Sequence, residues 1–564
     1  MPGDARGKTA MKTNAMLFAL LAALAVPAAA QPVFEEVTPT EGPWFVTPDT
    51  DDFWINSIAP ADVDGDGDLD LAVMGFYVVY NESVTDTLLL LLNEGEGAGG
   101  RWSFTPVEVP LGGVFAGATD LSWADYDRDG DHDLLVASEG AAVLYRNDAG
   151  TLVGTDTPLP SYWEDSGYED TYDLRSATWA DYDNDGDPDL LLPSVYDEAA
   201  FEFRTVLVRN DGSDGAGGWL FADSAIALDP TTNAQSAWID DDADGDLDLF
   251  VANVDPLMKT GGVKLYDNDA GTFTPVDPLG IRIEHGLADI GDPDADGDSD
   301  ILVAGNILDT DDTYKTVLRI YRNDGGSYVP ETLVQAPDAD WLDFNAATWA
   351  DYDSDGDVDL LLTGSYVGNA EIVGKSEIYG NDGGAFTSLG VQLPAPIGSL
   401  GRGGAFNWFD LDGDGDLDYL VAGGFYVPGG NGLVEAQVHL FRNTTPAINA
   451  APAAPTGLHA ELVGDVVTMG WSGAGDDHTP PAQLTYDLEL WRDGVPLTLP
   501  ERLPQPGSVA TATSWSIAQL PDGAYAWTVR AVDSAFAGST SASGSFTLPW
   551  GSDIVFADGF DGGG

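Results

Sequence analysis

Cysteine is absent from the 564-residue chain, so no disulfide framework holds it and no thiolate can bind metal or attack a substrate. Histidine is nearly as scarce: His132, His285, His439, His459 and His478 are all there is. With no Cys and five scattered His, zinc and copper sites lack their usual ligands. Neither H-E-x-x-H nor G-x-S-x-G occurs, which removes the commonest hydrolase signatures. Positive charge is the third scarcity. Lys plus Arg number 21 against 95 Asp plus Glu, a formal net charge of -74. That balance excludes nucleic acid and anionic lipid as partners and attracts cations. An acidic surface also suits saline surroundings, so the placement of the acids has to decide. At 43% hydrophobic and 10% aromatic residues, the chain is no disordered polyanion.

Long apolar runs are missing too, apart from Ala15 to Val26 near the start. This run is too short to span a membrane. Lys8 and Lys12 precede it, and Pro27-Ala28-Ala29-Ala30 follows before Gln31. Residues 1–30 therefore read as a secretory signal, with Met11 as an alternative start, and the mature protein is expected to be secreted or held at the cell surface.

What the sequence does have is a repeat. The string D-x-D-x-D-G-D-x-D starts at Asp62, Asp125, Asp181, Asp240, Asp292, Asp351 and Asp410, at intervals of 52 to 63 residues. A second signature alternates with it, an apolar stretch ending in Asn93, Asn147, Asn210, Asn268, Asn323, Asn381 and Asn443. Short apolar runs flank both, such as Ala177 to Ala180 and Asp189 to Leu192 around the third loop, Leu318 to Tyr321 before an Asn turn and Phe386 to Leu389 after one. Such runs, bounded by Gly, Asp and Asn, are strands. Four strands per repeat predict an all-β fold, a seven-bladed β-propeller. The seventh repeat ends at Asn443 without a fourth strand, while Pro32 to Val37 resembles one and precedes the first loop. The N-terminal strand is thus expected to complete the seventh blade and close the ring.

The loops suit a hard cation. In the third, Asp181, Asp183 and Asp185 alternate, Gly186 allows a sharp turn and Asp189 returns at position nine. Calcium takes six to eight oxygens, and carboxylates on a curling backbone can converge on one point. Left empty, two such charges ~4 Å apart repel by on the order of 4 kcal/mol at an effective dielectric near 20. An EF-hand would need Glu at position twelve and flanking helices. Here position twelve is apolar, from Val73 in the first loop to Val421 in the seventh.

The Asp loop and the apolar-Arg-Asn-Asp-Gly turn resemble the FG-GAP, or VCBS, repeats of integrin α propellers and of many exported bacterial proteins. The resemblance covers residues 32 to 444. It implies structural calcium, up to seven ions, bound through positions one, three, five and nine with the carbonyl of position seven. Carried over, the residues are Asp62, Asp64, Asp66, Asp68 and Asp70 in the first loop, and Asp125, Asp127, Asp129, Asp131 and Asp133 in the second. The third has Asp181, Asp183, Asp185, Asp187 and Asp189; the fourth has Asp240, Asp242, Asp244, Asp246 and Asp248. Asp292, Asp294, Asp296, Asp298 and Asp300 form the fifth, and Asp351, Asp353, Asp355, Asp357 and Asp359 the sixth. The seventh is Asp410, Asp412, Asp414, Asp416 and Asp418. The fifth departs from the others, with Ile290-Gly291 in place of an aromatic approach and Pro293 at position two.

In a four-strand meander the Asp loops and Asn turns share one face, leaving the variable loops on the other. Those loops are aromatic, and Trp44, Trp54, Tyr77, Trp163, Tyr168, Tyr196, Trp341, Tyr366 and Tyr426 are the candidate ligand contacts. Rings among carboxylates suit a carbohydrate or a surface protein, although rings that only plug the channel would read the same way. The expected function is an extracellular ligand-binding or adhesion module. The alternative is a polysaccharide hydrolase or lyase working through a carboxylate pair hidden among 95 acids. After a Pro- and Ala-rich linker, 445–455, residues 456–549 read as a β-sandwich resembling a fibronectin type III domain, carried by Pro455, Trp471 and the Leu520 to Tyr525 corner. The last segment, 550–564, resembles a C-terminal signature of some exported bacterial proteins.

Overall fold

The computed structural model describes residues 34–39, 52–78, 85–97, 100–111, 118–138, 141–155, 159, 177–185, 187–197, 202–215, 218–231, 235–239, 241, 246–252, 262–269, 271–294, 296, 299–310, 313–335, 341–368, 371–391, 393–394, 406–426, 434–445, 449–463, 466–481, 483–493, 495–498, 513–518, 520 and 522–549. The signal segment, most of the crossovers and the C-terminal tail lie outside them. Among the described residues all regular structure is β-strand, in nine antiparallel sheets.

Seven sheets come from the repeats, and each has four strands in simple meander order. Sheet three is representative, with strands Thr178–Ala180, Asp189–Asp197, Glu202–Ser213 and Trp219–Asp223. Its second strand begins at position nine of the Asp loop and runs Leu190-Leu191-Leu192, all buried. Pro193 follows and cannot donate to a ladder, and the register slips between Leu192 and Val195. The approach to the fifth loop is an ordinary strand, Arg282–Gly291, despite Ile290-Gly291.

The seventh sheet is assembled from both ends of the repeat region. Phe34–Glu36 pairs antiparallel with Val434–Asn443, Phe34 opposite Asn443. Arg442 adds an ion pair to Glu35 at 3.1 Å, and His439 lies 3.1 Å from Glu36. The N-terminal strand is therefore the fourth strand of this sheet.

Buried apolar residues lie between sheets. Each of seven clusters draws on two neighbours, as where Leu71 and Val73 of sheet one meet Phe409 and Leu420 of sheet seven. Sheets one and two, two and three, and so on to six and seven share the others. The last sheet touching the first makes a closed, propeller-like ring. Inner strands are also tied by polar bonds, Trp123 Nε1 to the Ala59 carbonyl at 3.1 Å and Asn407 Nδ2 to the Ile58 carbonyl at 3.0 Å.

The remaining two sheets belong to residues 456–548. One has three strands, Thr456–Val463, Val466–Ser472 and Ser514–Ala518; the other has four, with Thr485–Arg492 and Gly523–Val532 at its centre. Their facing sides close over one cluster that includes Trp471, Tyr486 and Trp527. Tyr525 is also buried and stacks on Phe546. These rings are core, as the sequence led us to expect.

Candidate metal centres

Among the described residues the acidic loops curl by recurring local bonds. The position-one carboxylate accepts the position-six N–H, in Asp125 from Gly130 at 2.9 Å and in Asp410 from Gly415 at 3.0 Å. It also accepts the position-five N–H, as Asp181 does from Asp185 at 3.0 Å. Position five in turn accepts from position seven, as in Asp66 from Asp68 at 3.0 Å. The curl needs left-handed backbone at two places. Position six is Gly wherever it is described, with φ from 94° at Gly415 to 105° at Gly130. Position four adopts it too, at Gly65, Arg128, Asn184, Ser354 and Gly413. That second requirement was missed from the sequence, although the Gly, Asn and Ser found at position four are a readable signal.

The curl brings the acids together. Ligand oxygens of Asp62, Asp64 and Asp66 all lie within 4.8 Å of one another, and so do those of Asp292, Asp294 and Asp296 and of Asp351, Asp353 and Asp355. In the second and third loops the converging set is positions one, three and nine, Asp125, Asp127 and Asp133, then Asp181, Asp183 and Asp189. Asp240, Asp242, Asp244 and Asp298 lie outside the described residues.

Two observations test whether these loops fit a cation. The Oδ1 oxygens of Asp127, Asp183, Asp294, Asp353 and Asp412, position three each time, are buried and receive no hydrogen bond. Buried acceptors are normally satisfied, so one orphaned oxygen recurring in five loops fits a cation ligand at that position. The second is the energetic state of the carboxyls. Burial, with crowding by neighbouring carboxylates added to it, pushes Asp125 up to about 7, Asp133 to about 9, Asp416 to about 8 and Asp418 to about 9. A cation among them would favour the ionised form of each. Oxygen-only donors of this number suit calcium.

Position nine has a further task. Its Oδ1 accepts the backbone N–H of the Asn turn in every repeat, from Asn93 to Asp70 at 2.7 Å through Asn443 to Asp418 at 2.7 Å. In most loops Oδ2 accepts the position-two N–H as well. The position-nine Asp thus staples loop to turn.

The Asn then ties one repeat to the next. Asn147 Nδ2 donates to the Val63 carbonyl at 2.8 Å, Asn210 to Tyr126 at 3.1 Å and Asn268 to Tyr182 at 2.9 Å. Asn381 reaches Pro293 at 2.6 Å and Asn443 reaches Tyr352 at 2.7 Å. In each case the acceptor is position two of the preceding acidic loop. The sequence marked these asparagines as a signature without revealing the partner, because the partner lies 84 to 91 residues away. Other ties join the loops directly: Arg128 pairs with Asp187, and Asn184 Nδ2 donates to Asp246 at 2.6 Å.

The candidate ligand aromatics sit elsewhere. Trp44, Trp163 and Tyr168 lie outside the described residues, and the side chains of the other six do too. Their backbone positions are clear. Tyr77, Tyr196, Tyr366 and Tyr426 fall near the ends of second strands whose first residues are the position-nine aspartates. Trp54 and Trp341 pair with Phe76 and Tyr366 at that same far end. All six positions are thus at the opposite end of their strands from the acidic loops. The His285 side chain lies outside the described residues.

A family profile described as FG-GAP-like repeat matches residues 125–192, which hold the second and third acidic loops. No curated protein matches the sequence. Among solved structures, a lectin of Agrocybe aegerita, described as recognising non-reducing terminal N-acetylglucosamine, is 16% identical, with a TM-score of 0.37 over 60% of this chain and 80% of its own. The extracellular domains of two two-component systems from B. thetaiotaomicron are 11% and 9% identical, with TM-scores of 0.38 and 0.36 over 92% and 91% of this chain. The chain spans 58% of the length of each of those domains.

Proposed function

We propose that residues 31–444 form a seven-bladed propeller of FG-GAP repeats, braced by calcium, that acts outside the cell as a ligand-binding or adhesion module. The observation that carries the calcium part is the recurrence, in five loops, of a buried position-three oxygen without a donor, in four of them among converging carboxylates. The FG-GAP-like match at 125–192 supports the same reading of the loop type. Positions one, three, five and nine would supply carboxylates and position seven its carbonyl. The ion would neutralise the cluster and fix the turn between first and second strands.

In this reading the calcium is structural and the ligand binds at the other strand ends, where the variable, aromatic segments lie. A glycan or a surface protein is the ligand class that rings among carboxylates suit. The signal at 1–30 sends the protein out, and residues 456–549 act as an accessory sandwich of the fibronectin type III kind. The test is an array of glycans and surface proteins probed with calcium and with chelator, with product analysis on every glycan bound. Saturable binding without turnover supports the module. Turnover of a bound polysaccharide would replace it with an enzyme.

A further inference from the structure

Identical motifs do not have identical surroundings. In loop one, Asp64, Asp66 and Asp68 are exposed. In loop six, Asp351, Asp353 and Ser354 are buried, at 1%, 8% and 1% exposure. The cover is the C-terminal pair of sheets. Ser534 Oγ donates to Asp351 Oδ2 at 2.8 Å, and Ser534 is itself held by Thr479, hydroxyl to hydroxyl at 2.8 Å. The backbone of His478 lies so close over Gly356 that a Cβ there would collide with its carbonyl. Ala535 and Phe536 join the apolar cluster of Tyr352, Trp408 and Tyr419. Gln483 donates to the Asp292 carbonyl of loop five, and Leu247 of loop four belongs to the same cluster as Trp471 and Tyr486. Asn449, within the connecting segment, donates to Asp533 at 2.7 Å and approaches Gly415 of loop seven.

We propose that the C-terminal sheets dock on the ring through loop six, and that the cation in loop six and the docked state stabilise each other. The proposal rests on the calcium reading of the loops. Without an ion, the carboxylates of Asp351, Asp353 and Asp355 repel one another, and only the loop's own hydrogen bonds oppose that repulsion and keep the curl on which His478 and Ser534 sit. With an ion, Asp351 is fixed, its second oxygen accepts Ser534, and the turn 533–537 lies on a formed surface. Linkage makes the effect reciprocal: whatever factor the ion adds to docking, docking adds to ion affinity. The ion of loop six is then occluded and leaves slowly, whereas that of loop one faces solvent and leaves fast.

The experiment uses the full chain, with bound ions counted by native mass spectrometry and peptide-resolved hydrogen exchange in calcium. Asp353→Asn weakens loop six and Asp64→Asn weakens loop one; each is expected to lose one ion. Only Asp353→Asn should speed exchange in segments 476–481 and 533–539, by about tenfold or more. From the other side, Phe536→Asp disturbs docking while leaving every carboxylate of the acidic loops in place. It should move one ion from the slow class to the fast class when release to a chelating dye is followed. Ions bound and lost as expected, but with equal exchange in both loop variants or an unchanged slow class in Phe536→Asp, would overturn the docking proposal alone. An unmodified chain that carries no calcium would overturn it together with the reading beneath it.

Discussion

The ring and the C-terminal sheets solve the same problem differently. Residues 456–548 bury one main cluster between two sheets, with Trp527, Val529 and Leu484 inside, and take only Leu247, Ala180 and Trp238 of the ring against it. The ring has no such centre. Its seven clusters are each shared by two sheets, so a sheet is stable only beside its neighbours. Its acidic face adds carboxylates pushed to high pKa by burial, while the C-terminal pair has Asp533 raised to about 6, with three hydrogen bonds onto it. Shared cores make the ring depend on alignment, and charged loops make alignment depend on something that cancels the charge.

The sharpest way to break this contrast is to remove the ions. Chelation of the whole chain should lower the melting temperature of the ring by more than about 10 °C, since each site held well above its dissociation constant contributes about 3 kcal/mol. Exchange protection at Trp527 and Val529 should stay. Calorimetry with hydrogen exchange reads both, and equal loss in the two regions would contradict the division.

A core truncation should act in the opposite place. Trp527→Ala is expected to destabilise the C-terminal sheets by about 3–5 kcal/mol, while the calcium content measured on the same sample changes by no more than the loop-six ion. Loss of several ions would show that the two regions are not separable in this way.

Between them stands the Asn tie. Asn210→Ala removes the bond to Tyr126 and leaves that carbonyl and the Gly212 N–H without their partner, at a cost of about 2–3 kcal/mol by denaturant titration. The Asn323 amide donates instead within its own turn, to Tyr328 Oη at 3.4 Å. Asn323→Ala should therefore cost less, and equal costs would take the inter-repeat role away from the tie.

The pH dependence of chelated protein has a definite sign. The carboxyls at Asp125, Asp133, Asp416 and Asp418 sit between about 7 and 9 when folded, against an unfolded value near 3.8. Between those values the folded state holds more protons, so stability should fall as pH rises from about 4 toward 9. Thermal melts of chelated protein should thus be higher at pH 5 than at pH 8, and calcium should remove the trend. Smallest of all is Val329→Ser on the outermost strand of sheet five, where Val329 is 55% exposed. It should change stability by under about 0.5 kcal/mol.

How much of this could be read beforehand follows from range. The alternation of Asp62, Asp64 and Asp66 with Gly67 is local, and it announced the curl. The strand runs beside it are equally local, and the unmatched ends of the repeat announced the pairing of Phe34–Glu36 with the last strand. What escaped was set by residues far apart in the chain. Asn210 looked like a turn residue, and nothing near it points to Tyr126. Loop six looked like loop one, and only the placement of His478 and Ser534, well over 100 residues on, makes it different. Position four was legible in principle, but Arg128 at that place hides the pattern that Gly65 and Asn184 display.

The central claim is that cations neutralise the acidic loops so that the ring can close. Elemental analysis of never-chelated protein, by inductively coupled plasma mass spectrometry, tests it most directly. The account predicts several calcium ions per chain, approaching seven, that survive exhaustive dialysis. Less than one calcium per chain in folded, cooperatively melting protein would contradict it.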